Sequence, residues 1–179
     1  MLLDRRVVFV RGQLTDATAN EAIPQLLLIS QTGGGKPIEM YLDSAGGSLA
    51  ASLAIYDVMQ SLGPPVSVTC TSTAGGAAVL LLAGGAAGRR FALPHARIHL
   101  VEDDPGFDLA RQRADPSSTA KAAADLRTRW CEALARQTAH STEHIANDLA
   151  KNRWLSAAEA RDYGIVDGII PGQPGGPPS

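Results

Sequence analysis

The stretch Cys70-Thr-Ser-Thr-Ala-Gly-Gly-Ala-Ala-Val-Leu-Leu-Leu-Ala-Gly-Gly-Ala-Ala-Gly-Arg-Arg-Phe-Ala-Leu-Pro94 decides how this chain folds. Val66–Cys70 leads into it as a strand of the buried type, rich in β-branched residues. From Gly76 to Ala87 the sequence is apolar on every face, so the helix expected there has to be buried. Phe91–Leu93 and Arg97–Val101 read as two short strands around a Pro94-His95 turn.

Working towards the N-terminus, Val7–Val10 reads as a strand and Asp16 to Ser30 as a helix. Ala19, Ile23, Leu26 and Leu27 are its expected apolar face, and Pro24 lies inside that run. Ile38–Leu42 is a second strand, followed by Gly46-Gly47 and by a helix over Ser48 to Leu62 that Gly63-Pro64-Pro65 stops. Leu49, Leu53, Tyr56 and Leu62 share one side of that helix. Towards the C-terminus, Asp115-Pro116 pairs an N-cap residue with proline at the first helical position. The helix after it carries Ala123, Leu126, Trp130 and Leu134 on one face. A further helix spans roughly Thr142 to Lys151. Ser156-Ala-Ala-Glu159 is a capping box opening a short helix that Gly164 ends, and Ile165–Ile170 reads as a final strand. Strands separated by helices imply right-handed βαβ units and an α/β fold.

The 179 residues are enough for one domain with a sizeable core, assigned to residues 1–170. Residues 171–179, rich in Pro and Gly, form a tail expected to be disordered. Aromatics make up only 4%, so the core has to be built from Ala, Leu, Ile and Val. A net charge of −2 gives no basic footprint for nucleic acid. Cys70 and Cys131 lack metal-type spacing and read as buried, reduced thiols, so no metal and no cofactor is expected. Met1-Leu-Leu-Asp-Arg-Arg runs straight into the first strand with no signal-type apolar segment, and no run is long enough to span a membrane. The expectation is a cytoplasmic protein.

Segments in the right order and at the right spacing make the chain resemble the Clp protease proteolytic-subunit family. Besides Cys70–Pro94, they are Asp43-Ser-Ala-Gly-Gly-Ser48, Ala54-Ile-Tyr-Asp57, Leu155-Ser-Ala-Ala-Glu-Ala160 and Tyr163-Gly-Ile-Val-Asp167. The resemblance covers about residues 5 to 170. It implies the α/β fold shared by Clp proteolytic subunits and the crotonase superfamily, built of repeated β-β-α units with a protruding helix–strand handle. Family members stack into seven-membered rings, usually in pairs, around a chamber fed by an ATP-driven unfoldase.

The family's peptidases use a serine, a histidine that activates it and an aspartate that orients the histidine. Carried onto this sequence, those positions are Gly76, Val101 and Asn152. Glycine cannot attack a carbonyl, valine cannot take a proton, and asparagine carries no charge to stabilise an imidazolium. The resemblance makes Gly46-Gly47 the oxyanion-hole turn, whose backbone N–H groups attract a carbonyl oxygen or an anion. The glycines also suit a turn that simply needs positive φ. A relocated dyad of His99 with Ser72, Thr73 or Ser44 has no supporting spacing, since strand neighbours two apart are displaced by about 6.6 Å. His99 is expected to be buried and hydrogen-bonded, and His95, His140 and His144 to face solvent.

The family docks its unfoldase on a groove floored by two aromatics, and here those positions are Glu39 and Tyr41. A charge in an apolar pocket disfavours the same ligand, so unfoldase docking should be weak or indirect. The ring-linking segment is Glu102-Asp-Asp-Pro-Gly-Phe-Asp108, where proline and adjacent acids oppose a symmetric contact. The sequence thus points to a pseudopeptidase, a non-catalytic ring-forming subunit in a homo- or hetero-heptameric ring with other Clp proteolytic subunits. The alternatives are a crotonase-type acyl-thioester enzyme and a serine peptidase with relocated residues. Glu102 and Asp103 are the only carboxylates next in sequence to the histidine position.

Overall fold

The computed structural model describes residues 5–103 and 116–171. In chain order the elements are β1 (Val7–Leu14), α1 (Asp16–Ser30), β2 (Ile38–Gly47), α2 (Leu49–Ser61), β3 (Val66–Gly75) and α3 (Ala78–Ala83). There follow β4 (Arg90–Ala92), β5 (Arg97–Leu100), α4 (Pro116–Thr138), α5 (Thr142–Ala150), β6 (Arg153–Ser156), α6 (Ala157–Tyr163) and β7 (Gly168–Ile169). The strands form one sheet in the order β1-β2-β3-β4-β7. β3 is shared along its length: Val68–Cys70 pair with β4, and Thr73–Gly75 pair with β5. Every pairing is parallel except that of β5 with β6. The result is a mixed α/β fold with a parallel-dominated sheet.

Burial explains why the sheet's centre is read so easily in the sequence: β2 buries one face, and the first half of β3 buries both. In β2 the side chains of Ile38, Met40 and Leu42 are buried, and in β3 Val66, Val68 and Cys70 are. α3 has all six residues at 0% exposure, which is what a helix apolar all round requires. It is shorter than the expected Gly76–Ala87 because Gly84, its C-cap, returns its N–H to Leu80 O and the chain turns there. Apart from Trp130 and two tyrosines, the large core residues are aliphatic or Met.

α1 spans the expected Asp16–Ser30 and runs unbroken through Pro24. The ring removes only the N–H that would reach Asn20, and the rest of the helix is held by its packing on β1 and α2. Its buried face is Ala19, Ala22, Leu26 and Ile29, and Leu27 is 43% exposed. In α4 the expected face is right, but its burial is graded. Trp130 and Leu134 are buried, whereas Ala123 and Leu126 are half-buried, Leu126 at the edge of the core. Asp115, most of the linking segment 102–108 and the tail from 172 onward lie outside the described residues. β6 has no counterpart in the sequence reading: its four residues gain strand geometry from antiparallel pairing with β5. The final strand is two residues, not six, because only Gly168 and Ile169 reach β4. The capping box is present in full, with Ser156 at the N-cap, Glu159 reaching back and Gly164 in the left-handed conformation at the C-cap.

Candidate functional site

At the end of β3 the chain turns through Gly76, at φ +43°, into α3. Two bonds fix that turn. The Gly76 N–H donates to His99 O at 2.9 Å. The hydroxyl of Ser52, fully buried on α2, donates to Ala77 O at 2.7 Å. The Ala77 N–H is thereby presented to the opening between β2 and β3. At the end of β2, Ser44 Oγ accepts the Gly46 N–H at 3.2 Å, and the next amide, Gly47 N–H, faces the same opening.

Both free amides converge on one atom. Asp103 Oδ2 accepts from Gly47 N at 2.8 Å and from Ala77 N at 2.7 Å. These are lengths of charge-assisted bonds. One carboxylate oxygen thus occupies the two-amide cradle as an oxyanion would. The fit depends on glycine at two positions. A Cβ built on Gly76 would stand 1.9 Å from Asp103 Oδ2, and one on Gly46 would stand 2.1 Å away. The space a side chain at position 76 would need is filled by the chain's own carboxylate.

Around the cradle lies an open cleft of about 550 Å³, lined by Gly12, Gln13, Asp43, Thr73, the glycine turn and Asp103. It sits at the carboxyl ends of the parallel strands β1, β2 and β3, where ligands of open α/β sheets bind. Asp43 Oδ1 accepts the Thr73 N–H at 3.2 Å, which ties the cleft's second carboxylate to its wall.

The histidine position, Val101, lies just past β5 and is half-buried. Asn152, at φ +53°, precedes β6. The imidazole that meets Asn152 is His99: its Nε2 hydrogen-bonds Asn152 Oδ1, and its ring stacks on Trp154 at 3.9 Å. His99 is half-buried rather than buried, and hydrogen-bonded as expected. Its partner among the described residues is Asn152, not a hydroxyl. Ser44 is 1% exposed and closes its own turn, Ser72 faces solvent, and Thr73 is on the cleft wall.

His95 and His144 are exposed, but His140 is half-buried, because its Nε2 bonds Tyr163 O at 3.0 Å and its ring stacks on His144 at 4.5 Å. Both cysteines are buried and free, and burial pushes the Cys70 thiol up to about 12. Glu39 and Tyr41 share one face of β2, where Tyr41 stacks on Phe9 at 5.5 Å and Arg11 lies 4.4 Å over the Phe9 ring. The face is therefore aromatic flanked by charge of both signs. Among the described residues no helix is long and apolar enough to cross a membrane, and no cluster of His, Cys, Asp and Glu could hold a metal ion.

A parallel-dominated sheet with a glycine turn and a two-amide cradle at the end of its central strands is consistent with the fold of the Clp proteolytic subunits. Within that class, residues 1–173 match the sequence profile of the Clp protease family, and the chain belongs to that family. The sequence reading missed three contributors to the site. Asp103 was noted only for its place in the chain, and its reach to Gly47, 56 positions away, leaves no trace in local sequence. Asp43 lay inside a quoted motif with no role. Ser52 looks like any small polar residue on a helix.

Proposed function

We propose that this chain is a non-catalytic member of the Clp protease family, acting as a ring-forming structural or regulatory subunit of a Clp-type protease complex. The observation that carries this reading is the Asp103 carboxylate on the Gly47 and Ala77 amides, in the space a nucleophile at position 76 would need. A negative oxygen there excludes the developing oxyanion that peptide hydrolysis requires. Residues Gly76, Val101 and Asn152 at the triad positions support the same conclusion. A crotonase-type reaction needs the same two amides for a thioester enolate, and it meets the same obstruction. The nearby Glu102 is half-exposed and pairs with Arg127 at 3.4 Å, away from the cradle.

The proposed partners are other Clp proteolytic subunits of the same cell, in a homo- or hetero-heptameric ring in the cytoplasm. Docking of an unfoldase on the Glu39–Tyr41 face is weak, because an acidic and a basic side chain, Glu39 and Arg11, flank the aromatics. The test is the native mass of this chain alone and co-expressed with an active Clp proteolytic subunit. A mixed, ring-sized species is expected. A chain that ignores its partner, or whose removal leaves assembly and activity of the complex unchanged, sinks the proposal.

A further inference from the structure

We infer that the two-amide cradle is a binding site for the carboxylate of a peptide ligand, and that Asp103 is a tethered competitor for it. The inference deepens the reading above and rests on it in one respect, that no acyl chemistry uses the cradle. Its basis is the guest already there: one carboxylate oxygen takes both amides at 2.8 and 2.7 Å.

Donors and guest differ in how firmly they are held. Gly47 and Ala77 belong to peptide units fixed by the sheet, by Ser44, by the buried Ser52 and by the carbonyl of His99. Asp103 lies three residues past β5 in neither helix nor strand, and it is half-exposed. Releasing it leaves the donor frame intact. The cleft beside it, about 550 Å³, is within the range of ligand sites and far exceeds one carboxylate.

The walls suit a peptide. The β1–β2 ladder breaks register between Arg11 and Gln13, and the β2–β3 ladder breaks between Leu42 and Ser44. Gly12 therefore presents backbone released from regular pairing to the cleft, and Asp43, still in register with Arg11, is released only on its β3 side. Asp43 on the wall repels a second negative charge, which selects a ligand with one carboxylate and a neutral or cationic remainder.

The probe is N-acetyl-trialanine with a free C-terminus, titrated by calorimetry into the full-length protein and its Asp103→Ala and Asp103→Asn variants, with the C-terminal amide as control. The expected order of affinity for the free acid is Ala, then Asn, then the unaltered chain. A tethered group acts at millimolar effective concentration or above, so Asp103→Ala should bind about tenfold or more tighter than the unaltered chain. The amide should give no heat with any of them. Equal binding by all three, no binding by Asp103→Ala, or equal binding of acid and amide overturns the inference. If Asp103→Ala does not fold, the Asn variant decides it, since it keeps the oxygen and loses the charge. Binding without co-assembly would leave the site standing and remove only the subunit role.

Discussion

Gly76 and Asp103 are one structural unit, which double substitution can measure. Alanine at position 76 has to accept φ +43° and meets the carboxylate at 1.9 Å. Gly76→Ala should therefore cost about 1–3 kcal/mol in urea unfolding. With Asp103→Ala in the background the cost should fall, giving a coupling of about 1 kcal/mol, and additivity within about 0.5 kcal/mol would show the contact to be inert. The same contact governs any attempt to restore chemistry. Gly76→Ser with Val101→His and Asn152→Asp should stay unlabelled by a fluorophosphonate probe while Asp103 is present. Labelling of that triple variant would show that the carboxylate does not guard the cradle. The thiols are a simpler case. With Cys70 pushed up to about 12 by burial, and Cys131 also raised by burial, neither should react with Ellman's reagent until the chain unfolds.

At the scale of elements, the contact of α5 with α6 is held by a buried acid. Asp148, 3% exposed, accepts from Tyr163 Oη at 3.0 Å and pairs with His144 at 3.2 Å, Arg153 at 3.3 Å and Lys151 at 3.6 Å. Burial alone raises its pKa, but the Tyr163 bond and the three basic neighbours outweigh that and hold it below the ordinary carboxylate value. The folded-state pKa is depressed, so this stability is fully present above the unfolded value near 4 and is lost as pH falls through the folded value. Asp148→Asn should flatten the acid limb of Tm against pH and cost about 1–3 kcal/mol at pH 7. An acid limb as steep as in the unaltered chain would assign the acid sensitivity elsewhere, with Asp167 beside Arg90 the next candidate. At the start of α6, Ser156→Ala removes the capping box and should cost about 1 kcal/mol.

For the whole molecule, the first half of α4 has no fully buried residue from Ser117 to Arg129, so most of that half is open to solvent in the isolated chain. A ring of such chains has a definite mass, seven times 18.7 kDa if this chain assembles alone. Native mass spectrometry is expected to find single-ring or mixed-ring species and no double ring of this chain alone. A fourteen-subunit homo-oligomer would overturn the argument from Pro105 and the acids beside it.

The sequence by itself determined the α/β class, the order of the elements other than β6 and the glycine at position 76. Local chemistry carries those features: apolar, partly β-branched strand runs, an all-apolar helix, a capping box and a glycine turn. Tertiary structure alone decided what fills the cradle. Asp103 meets Gly47 and Ala77 only because β2, β3 and β5 bring three distant turns to one end of the sheet. It also decided that the His99 side chain, opposite Trp154 in the antiparallel register of β5 and β6, reaches diagonally to Asn152, a contact no local pattern encodes. Pro24 and Leu27 belong with these. Whether a proline breaks a helix, and which side of it is buried, depends on what the rest of the chain packs against it.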